Sequence, residues 1–327
     1  MQVPADILPI AVSYLRIVFA GLIFTFFYNF LAATMRALGD SKSALYFLMI
    51  SSVLNIGGDL FFVQALNWGS NGCALSTVIS EALCCVLCVL YIRWKVPILQ
   101  LGRRWLVFDG KLLRKTVSYG WASAMQQATV QLGKIAVQAI VNTMGVNAMA
   151  AFTAASRIDD FAYTPQQNIG HAMTTFMAQN RGAGKHDRVD AILRYAIGIG
   201  LTFGLIVAAA VQFIAPSVVR PFTSDEAVVL AGASYIRGYI FDCLFAGVQF
   251  SFSSYFCAYG KSGLSFLHNT LSILLVRVPG AYLASKFFPQ TLLPMGLASA
   301  CGSLFSILVC VIAYHWLKRQ QKAVLYG

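Results

Sequence analysis

The chain has 327 residues, of which 58% are hydrophobic and 11% are charged, and its mean hydropathy is +0.69. Soluble domains usually carry about 25% charged residues, so this composition excludes a soluble globular protein and predicts an all-α integral membrane protein. The formal net charge of +12 is concentrated in the loops between apolar runs. It indicates how the chain lies in the membrane and gives no reason to expect a nucleic-acid partner.

Nine apolar runs approach the roughly 20 residues that an α-helix needs to cross a bilayer. They lie at about 9–34, 43–66, 72–95, 117–142, 147–177, 191–216, 228–257, 264–287 and 292–316. The sequence therefore predicts a polytopic protein with about nine transmembrane helices.

The chain repeats itself over a long interval. Residues 11–17 resemble residues 233–238, with Tyr14 aligned to Tyr235 at a shift of 221 positions (235 − 14). Residues 37–42 resemble 258–262, with Ala37 aligned to Ala258 at the same shift. From residue 72 onward the shift is 224 positions (296 − 72). A period this long describes two copies of a whole lobe and not a short repeat unit.

The helices at 228–316 match the first three helices, whereas those at 117–216 have no earlier partner. We therefore predict two pseudo-symmetric lobes, the first of them incomplete, with three further helices expected before Met1. The predicted domains are the last three helices of the N-lobe (1–96), a cytoplasmic amphipathic linker (97–116), a six-helix C-lobe (117–316) and a cytoplasmic tail (317–327).

The basic residues indicate the orientation. The loops after the first, third, fifth and seventh predicted helices, together with the tail, hold most of the lysines and arginines, while the opposite side holds only Arg220 and Lys286. Positively charged loops stay in the cytoplasm. The C-terminus is therefore predicted to be cytoplasmic, in a multi-pass protein of the plasma membrane.

Two consecutive predicted helices carry polar stripes. In the fourth helix the polar residues follow one another at steps of 4, 4, 3, 4 and 4: Ser123, Gln127, Gln131, Lys134, Gln138 and Asn142. The fifth helix has a similar face, with two further charges beside it: Thr153, Ser156, Arg157, Asp159, Asp160, Thr164, Gln167, His171 and Thr174. This spacing is typical of one helix face. The stripes predict a polar cavity or path, the alternative being hydrogen bonds that only hold the helices together.

Ionisable groups inside the membrane are costly and therefore indicate function. Lys134 and Asp160 lie at similar distances from the turn at Met144–Asn147, so an ion pair between them is predicted. We assign ion coupling to Asp160, Asp159 and Lys134, with Asp242 as a second candidate. Pro165 adds a predicted bend beside the two acids. The bend either changes shape when the acids bind protons or is a static kink.

Three further polar residues are secondary candidates. Asn55 and Asp59 are one helical turn apart in the second predicted helix, where they either belong to the site or stabilise a helix end. Arg277 lies within the eighth predicted helix.

Short motifs in a fixed order carry a resemblance to a known family. They are Tyr14–Arg16, Met35–Lys42, Asn55–Asp59, Gly72–Ser80, and Ala150–Asp159 with Ala178–Lys185. With these motifs the chain resembles the multidrug and toxin extrusion (MATE) transporters over nearly its whole length.

The resemblance implies a cation-coupled antiporter of twelve helices in two lobes, which exports organic cations or related toxic compounds by alternating access. It also implies that residues 1–96 correspond to helices four to six and 117–316 to the second lobe. The family's first helix, which commonly holds an acidic residue of the N-lobe cation site, would then precede Met1.

The sequence thus predicts a secondary antiporter that exports organic cations, drugs or toxic compounds in exchange for H⁺ or Na⁺. Gln127, Gln131, Gln138, Arg157, Thr164, Gln167 and His171 are expected to line the substrate path. Replacing Asp160 by Asn is expected to abolish efflux from the completed protein. The alternatives are a flippase for lipids or lipid-linked oligosaccharides, and a truncated remnant that does not transport.

The predicted partners are a cationic, amphipathic small molecule and membrane lipid. We expect no cofactor, no metal site, no nucleic acid and a monomeric state. An enzyme is not expected, because none of the four histidines lies in a metal-ligand or nucleophile motif.

Overall fold

The computed structural model of the protein describes residues 8–99 and 107–326, with side chains described as far as residue 320. These residues form helices joined by short turns, without any strand among them. The ten α-helices are α1 (Leu8–Ala37), α2 (Ser41–Leu60), α3 (Gly69–Lys95), α4 (Gly110–Asn142), α5 (Val146–Gly182), α6 (His186–Val219), α7 (Glu226–Ala258), α8 (Ser262–Ser272), α9 (Val278–Phe287) and α10 (Leu293–Tyr326).

Two π-helical turns interrupt this pattern. One, Phe61–Ala65, extends α2, and the other, Ile273–Arg277, joins α8 to α9 without a break. The described residues therefore contain nine long helical segments, as the apolar runs predict. The all-α fold class is confirmed.

The chain divides into two compact units, the N-unit (Met1–Phe108) and the C-unit (Asp109–Gly327). In the N-unit, α3 packs against both α1 and α2. Its small core includes Tyr28, Met35 and Cys88. Only 6% of the most apolar stretch of α1 is buried within the protein, so most of its apolar surface is suited to lipid or to other protein segments.

In the C-unit, α7 is the central helix and packs against α5, α6 and α10. Its most apolar stretch is 56% buried. Glycines permit part of this contact: a Cβ on Gly200 of α6 would lie 2.8 Å from the Cα of Gly247. Small residues let helices approach closely in membranes, where association depends on packing. The close packing surrounds the polar groups of α7 with protein.

Six helical segments are long and apolar enough to span a membrane by length and composition: Leu8–Ala37, Ser41–Ala65, Gly69–Lys95, His186–Phe222, Glu226–Ala258 and Leu293–Gln320. The other three are α4, α5 and the α8–α9 segment. Polar residues lower the hydropathy of all three: the stripes do so in α4 and α5, and His268, Asn269 and Arg277 do so in the α8–α9 segment.

The region predicted as a linker, 97–116, is described only in part. Residues 100–106 lie outside the described residues, as do residues 1–7, and residues 110–116 belong to α4. The carboxylate of Asp109 accepts hydrogen bonds from the amides of Lys111 and Leu112 at 2.8 and 3.1 Å. This N-cap stabilises the helix start seven residues before the apolar run begins (117 − 110).

Candidate functional site

The predicted polar stripes form exposed faces of the C-unit. On α4, Gln127, Gln131 and Lys134 are exposed, and Gln138 is half-buried. The side-chain amide of Gln138 donates a hydrogen bond to Asn142 Oδ1 at 2.8 Å. On α5, Arg157, Asp160, Thr164 and His171 are exposed, and Gln167 is half-buried. Each helix thus presents a continuous polar face.

The predicted ion pair between α4 and α5 is present. Lys134 Nζ lies 3.3 Å from Asp160 Oδ1, and the two side chains are 58% and 59% exposed. Exposed ion pairs contribute little stability, typically about 0.2–1 kcal/mol. The charge of Asp160 is therefore balanced by a neighbour while both groups stay accessible.

The adjacent acid, Asp159, has a different environment. Neighbouring residues of a helix point about 100° apart, and Asp159 is directed toward the interior of the C-unit while Asp160 is directed outward. Its Oδ1 atom is buried without a hydrogen-bond partner among the described residues. An ionised carboxylate in such surroundings needs a proton or a cation.

A second buried acid, Asp242, lies in the middle of α7 with a fully buried side chain. Its Oδ1 atom accepts a hydrogen bond from Arg277 Nη2 at 3.0 Å, so the two residues form an ion pair. Its Oδ2 atom is buried and has no partner among the described groups. Arg277, a secondary candidate in the sequence, is therefore the counter-charge of Asp242.

Polar groups from four helical segments extend this pair into a network. Arg277 Nη2 also donates to Ser303 Oγ at 2.7 Å, and Ser303 Oγ donates to Gln249 Oε1 at 3.0 Å. The side-chain amide of Gln249 in turn donates to Asn269 Oδ1 at 2.8 Å. Because each member is held by the next, the guanidinium of Arg277 has a defined position.

The residue directly before Asn269 in α8 is a buried histidine, which forms a separate set of hydrogen bonds. Both ring nitrogens of His268 are within hydrogen-bond distance of serines, Nε2 with Ser253 at 2.8 Å and Nδ1 with Ser306 at 2.7 Å. These contacts hold α7, α8 and α10 together. With both nitrogens occupied by hydroxyl groups, His268 is a structural member of the core.

Tyrosines connect the two buried acids. The hydroxyl of Tyr239 on α7 interacts with both Asp159 and Asp242, and Tyr163 on α5 interacts with Arg277. The interior of the C-unit thus holds two carboxyl groups close to one arginine. This arrangement leaves one carboxyl group without a fixed counter-charge, and that group is Asp159.

The structure does not bring all predicted candidates together. Asn55 and Asp59 belong to the N-unit, where Asn55 Nδ2 donates to Ser76 and Thr77 of α3 at 3.3 and 3.2 Å. These bonds join α2 to α3. The Oδ1 atom of Asp59 is buried without a partner among the described residues.

Sequence reasoning missed several members of the network, namely Tyr163, Tyr239, Gln249 and Ser303. A signal exists in their spacing: Tyr239 is three residues before Asp242, Tyr163 is four residues after Asp159, and Gln249 is seven residues after Asp242. These intervals place each residue on the same helix face as the acid. In the described part of the chain, no group of three or more His, Cys, Asp and Glu residues is close enough to hold a metal ion.

The fold and the site together define a polytopic α-helical membrane protein with ionisable groups inside its second helical unit. The chain belongs to the MatE family, whose model matches residues 1–61 and 122–283. MatE proteins are membrane transporters, so the predicted resemblance is confirmed, as is the prediction that the chain is not an enzyme.

Individual proteins show the same similarity. The probable multidrug resistance protein YpnP of Bacillus subtilis is 27% identical over 317 residues, which cover 97% of this chain and 70% of YpnP. The probable multidrug resistance protein NorM of Thermotoga maritima is 19% identical over 319 residues, covering 96% of this chain and 68% of NorM.

A crystal structure of a MATE protein in complex with MaL6 has a similar fold. The TM-score is 0.90 at 21% sequence identity, and the match covers 100% of this chain and 73% of that chain. At this level of identity the likeness shows the fold, which agrees with the predicted MATE-like, multi-pass architecture.

Proposed function

We propose that the protein is a secondary antiporter that exports cationic, amphipathic organic compounds, including drugs, in exchange for H⁺ or Na⁺. Two relatives bear the description of probable multidrug resistance proteins, which supports export of such compounds. The observation in this chain that carries the proposal is the half-buried Asp159, whose Oδ1 atom is buried and has no partner among the described residues.

The buried charges favour cation coupling over the flippase alternative. A flippase for pyrophosphate-linked lipids needs an excess of buried positive charge. Among the described residues around Asp159 and Asp242, the buried counter-charge is Arg277, while Lys134 is exposed and already paired with Asp160, so the balance of buried charge is acidic. An acidic site attracts cations.

In the proposed cycle, Asp159 exchanges the coupling ion, and Asp242 remains paired with Arg277. The Lys134–Asp160 pair keeps the exposed face of α4 and α5 close to neutral at this point, because the two charges cancel. The substrate moves along that face past the glutamines at 127, 131, 138 and 167, together with Arg157, Thr164 and His171. When a cationic substrate binds, its charge opposes the coupling ion at Asp159 and promotes the release of that ion.

The proposal extends to placement in the cell. The N-unit corresponds to the last three helices of an N-lobe and the helices of the C-unit to a whole C-lobe, joined by a cytoplasmic linker and followed by a cytoplasmic tail. The protein works as a monomer in the plasma membrane. The excess of basic residues in alternate loops supports this orientation.

The test compares Asp159→Asn with Asp160→Asn in the full chain, purified in detergent and kept in weakly buffered solution. Addition of a lipophilic cation such as ethidium is expected to release protons, or bound ²²Na⁺, from the wild type. Asp159→Asn is expected to abolish this release completely, because the variant lacks the carboxyl group that carries the exchangeable charge.

The Asp160→Asn and Lys134→Gln variants are matched controls from the exposed pair. The proposal here replaces the sequence-based expectation that Asp160→Asn abolishes efflux: because Asp160 is exposed and already paired with Lys134, both variants are expected to keep most of the release. The same variants are then compared for ethidium efflux from cells at equal membrane levels. Full release from Asp159→Asn would contradict the assignment of Asp159, and no release from the wild type would contradict antiport.

A further inference from the structure

Arg277 enters the interior of the C-unit from a π turn. It is the last residue of Ile273–Arg277, and the amide of Val278 donates to the carbonyl of Ile273 across this wider turn. Pro279 follows, and it lacks the amide that a regular helical hydrogen bond requires. Turns of this kind often occur at functional sites, because the extra residue redirects the side chains. Here the side chain of Arg277 is only 20% exposed.

A glycine on the facing helix provides the room for this side chain. A Cβ on Gly302 of α10 would lie 2.3 Å from Arg277 Cγ and 3.0 Å from Arg277 Nε. Any larger residue at position 302 would therefore displace the arginine. The guanidinium of Arg277 is thus held beside Asp242 in two ways. The missing side chain of Gly302 leaves room for it, and its hydrogen bonds to Asp242 and Ser303 fix its position.

The carboxylate oxygens of Asp242, which contacts this guanidinium, and of Asp159, which interacts with Asp242, are of the type that bind metal cations. Asp242 Oδ2 and Asp159 Oδ1 are both buried without partners among the described residues, and the Tyr239 hydroxyl interacts with both carboxyl groups. Carboxylate and hydroxyl oxygens suit hard cations. A metal ion bridging the two acids would, however, meet the fixed positive charge that lies 3.0 Å from Asp242 Oδ1.

A proton does not meet the same obstacle, because it needs a single oxygen and neutralises it. The charged and titratable groups that interact with Asp159 are Lys134 from α4, Tyr235, Tyr239 and Asp242 from α7, and Tyr163 and Asp160 from α5. Arg277 interacts with Asp242 and Tyr163 within this group. This group contains two cations, Lys134 and Arg277. Lys134 is already paired with Asp160.

We propose that Arg277 selects the coupling ion: its guanidinium occupies the place of a metal cation at Asp242, so that the C-unit exchanges H⁺ and excludes Na⁺. This inference rests on the proposed antiport function, for which either ion would serve. Arg277 is a specificity-determining residue that acts through Asp242, and Asp159 holds the exchanged proton.

The experiment measures Na⁺ binding directly, by equilibrium binding of ²²Na⁺ to the purified full chain and by the melting temperature in NaCl against choline chloride at equal ionic strength. The wild type is expected to show no saturable binding and no Na⁺-specific shift. Arg277→Gln is expected to bind ²²Na⁺ saturably, with a melting temperature that rises with the logarithm of Na⁺ concentration.

Two control variants separate this role from a merely structural one. Arg277→Lys keeps the positive charge. Like the wild type, it is expected to show no saturable ²²Na⁺ binding and no Na⁺-specific shift in melting temperature. Arg277→Gln combined with Asp242→Asn is expected to lose the acquired binding, because the acid that holds the ion is gone. If Arg277→Gln does not fold, Arg277→Met, which keeps most of the side-chain volume, replaces it.

Saturable Na⁺ binding by the wild type would overturn the inference, and this measurement needs no variant. Absence of Na⁺ binding in a monodisperse Arg277→Gln or Arg277→Met protein would also overturn it. Failure of the proposed function has a different signature, since the wild type would then release no ion on addition of ethidium, whatever the Na⁺ binding of the arginine variants.

Discussion

The helices α1–α3 and α7–α10 are two copies of one sequence plan, and only the second copy buries a charged network. At the repeat shift of 221, the position of Asp242 is occupied by Gly21 (242 − 221). The position of Arg277 is occupied by Ile56 (277 − 221) and that of His268 by Phe47 (268 − 221). The copies share their helix order and differ in what fills the space between the helices.

One helix contact illustrates the difference. In the N-unit, a Cβ on Gly21 of α1 would lie 2.3 Å from Val78 Cγ2 of α3, so methyl groups fill the contact. The counterpart of Val78 at the shift of 224 is Gly302 (302 − 224), and there the side chain of Arg277 fills the space. A duplicated lobe thus keeps its packing geometry while the polarity of the filling changes, and the site lies where the copies differ.

Breaking the charged pair is expected to have the largest effect. Asp242→Ala leaves Arg277 without its partner in a mostly buried position, and the expected cost is about 3–5 kcal/mol of unfolding free energy. Thermal or denaturant unfolding of the purified protein measures it. The control is the double variant Asp242→Leu with Arg277→Leu, which imitates the apolar filling of the N-unit.

That double variant is expected to recover most of the stability while it loses substrate-driven ion release, since apolar residues often replace a buried ion pair without loss of stability. If it proves as unstable as Asp242→Ala, the pair is needed for the fold itself. The idea that the apolar contact of the N-unit and the Asp242–Arg277 pair of the C-unit stabilise their units equally well would then be wrong.

A smaller effect is expected from closing the two glycine contacts. Gly302→Ala and Gly21→Ala each place a Cβ 2.3 Å from a side-chain carbon, that of Arg277 or Val78, and overpacking costs about 1–3 kcal/mol. Both variants should therefore lower the melting temperature by similar amounts. Gly302→Ala should also reduce ethidium-driven ion release, whereas Gly21→Ala should leave it unchanged. If Gly302→Ala and Gly21→Ala showed equal ion release, the proposal that only the second copy carries the ion-coupling site would be wrong.

The smallest effect concerns the helix starts of the two copies. Asp40 caps α2 by accepting a hydrogen bond from the amide of Ser43 at 3.1 Å, whereas its counterpart before α8, Lys261 (40 + 221), makes no side-chain cap. Lys261→Asp is expected to stabilise the C-unit by about 1 kcal/mol at neutral pH, measured by thermal unfolding. Lys261→Ala is the control, and an equal gain from alanine would exclude capping as the cause.

The pH dependence of this cap has a defined sign. Burial opposes ionisation of Asp40, but hydrogen bonds from Ser43 and Tyr91 outweigh it and hold the pKa of Asp40 below its ordinary value of 3.8. A carboxyl group with a lowered folded-state pKa stabilises the protein above its unfolded pKa, and this contribution is lost as the pH falls through the folded pKa. The gain from Lys261→Asp should likewise disappear in acid.

The sequence predicts the helices well, because apolar length and the steps of the polar stripes are local properties. The Lys134–Asp160 pair follows from helix depth alone. The different surroundings of Asp159 and Asp160 do not, since adjacent residues share a depth and only the packing of α7 decides which of them is directed inward. Asp160 is the more prominent residue in the stripe, but in the structure Asp160 is exposed, whereas Asp159 is half-buried with a buried Oδ1 atom.

The network around Asp242 could be predicted only in part. Asp242 and Arg277 are conspicuous as charges within apolar runs, but their pairing depends on the π turn, which changes the face that Arg277 occupies. Tyr239 and Ser303 resemble ordinary packing residues of membrane helices. Their role becomes visible only when α7 and α10 are placed side by side.

On the proposed role of Arg277, the π turn at residues 273–277 also makes ion choice accessible to a single genetic event. A π turn holds one residue more than an α turn. Deleting one codon within it would restore a regular helix in which α8 and α9 keep their faces, while the side chains of the turn itself, including that of Arg277, would be redirected. Lineages that lose or gain this residue would change which side chains meet Asp242 without a single substitution. Length variation at this turn is therefore the feature to follow among related genes when coupling ions differ.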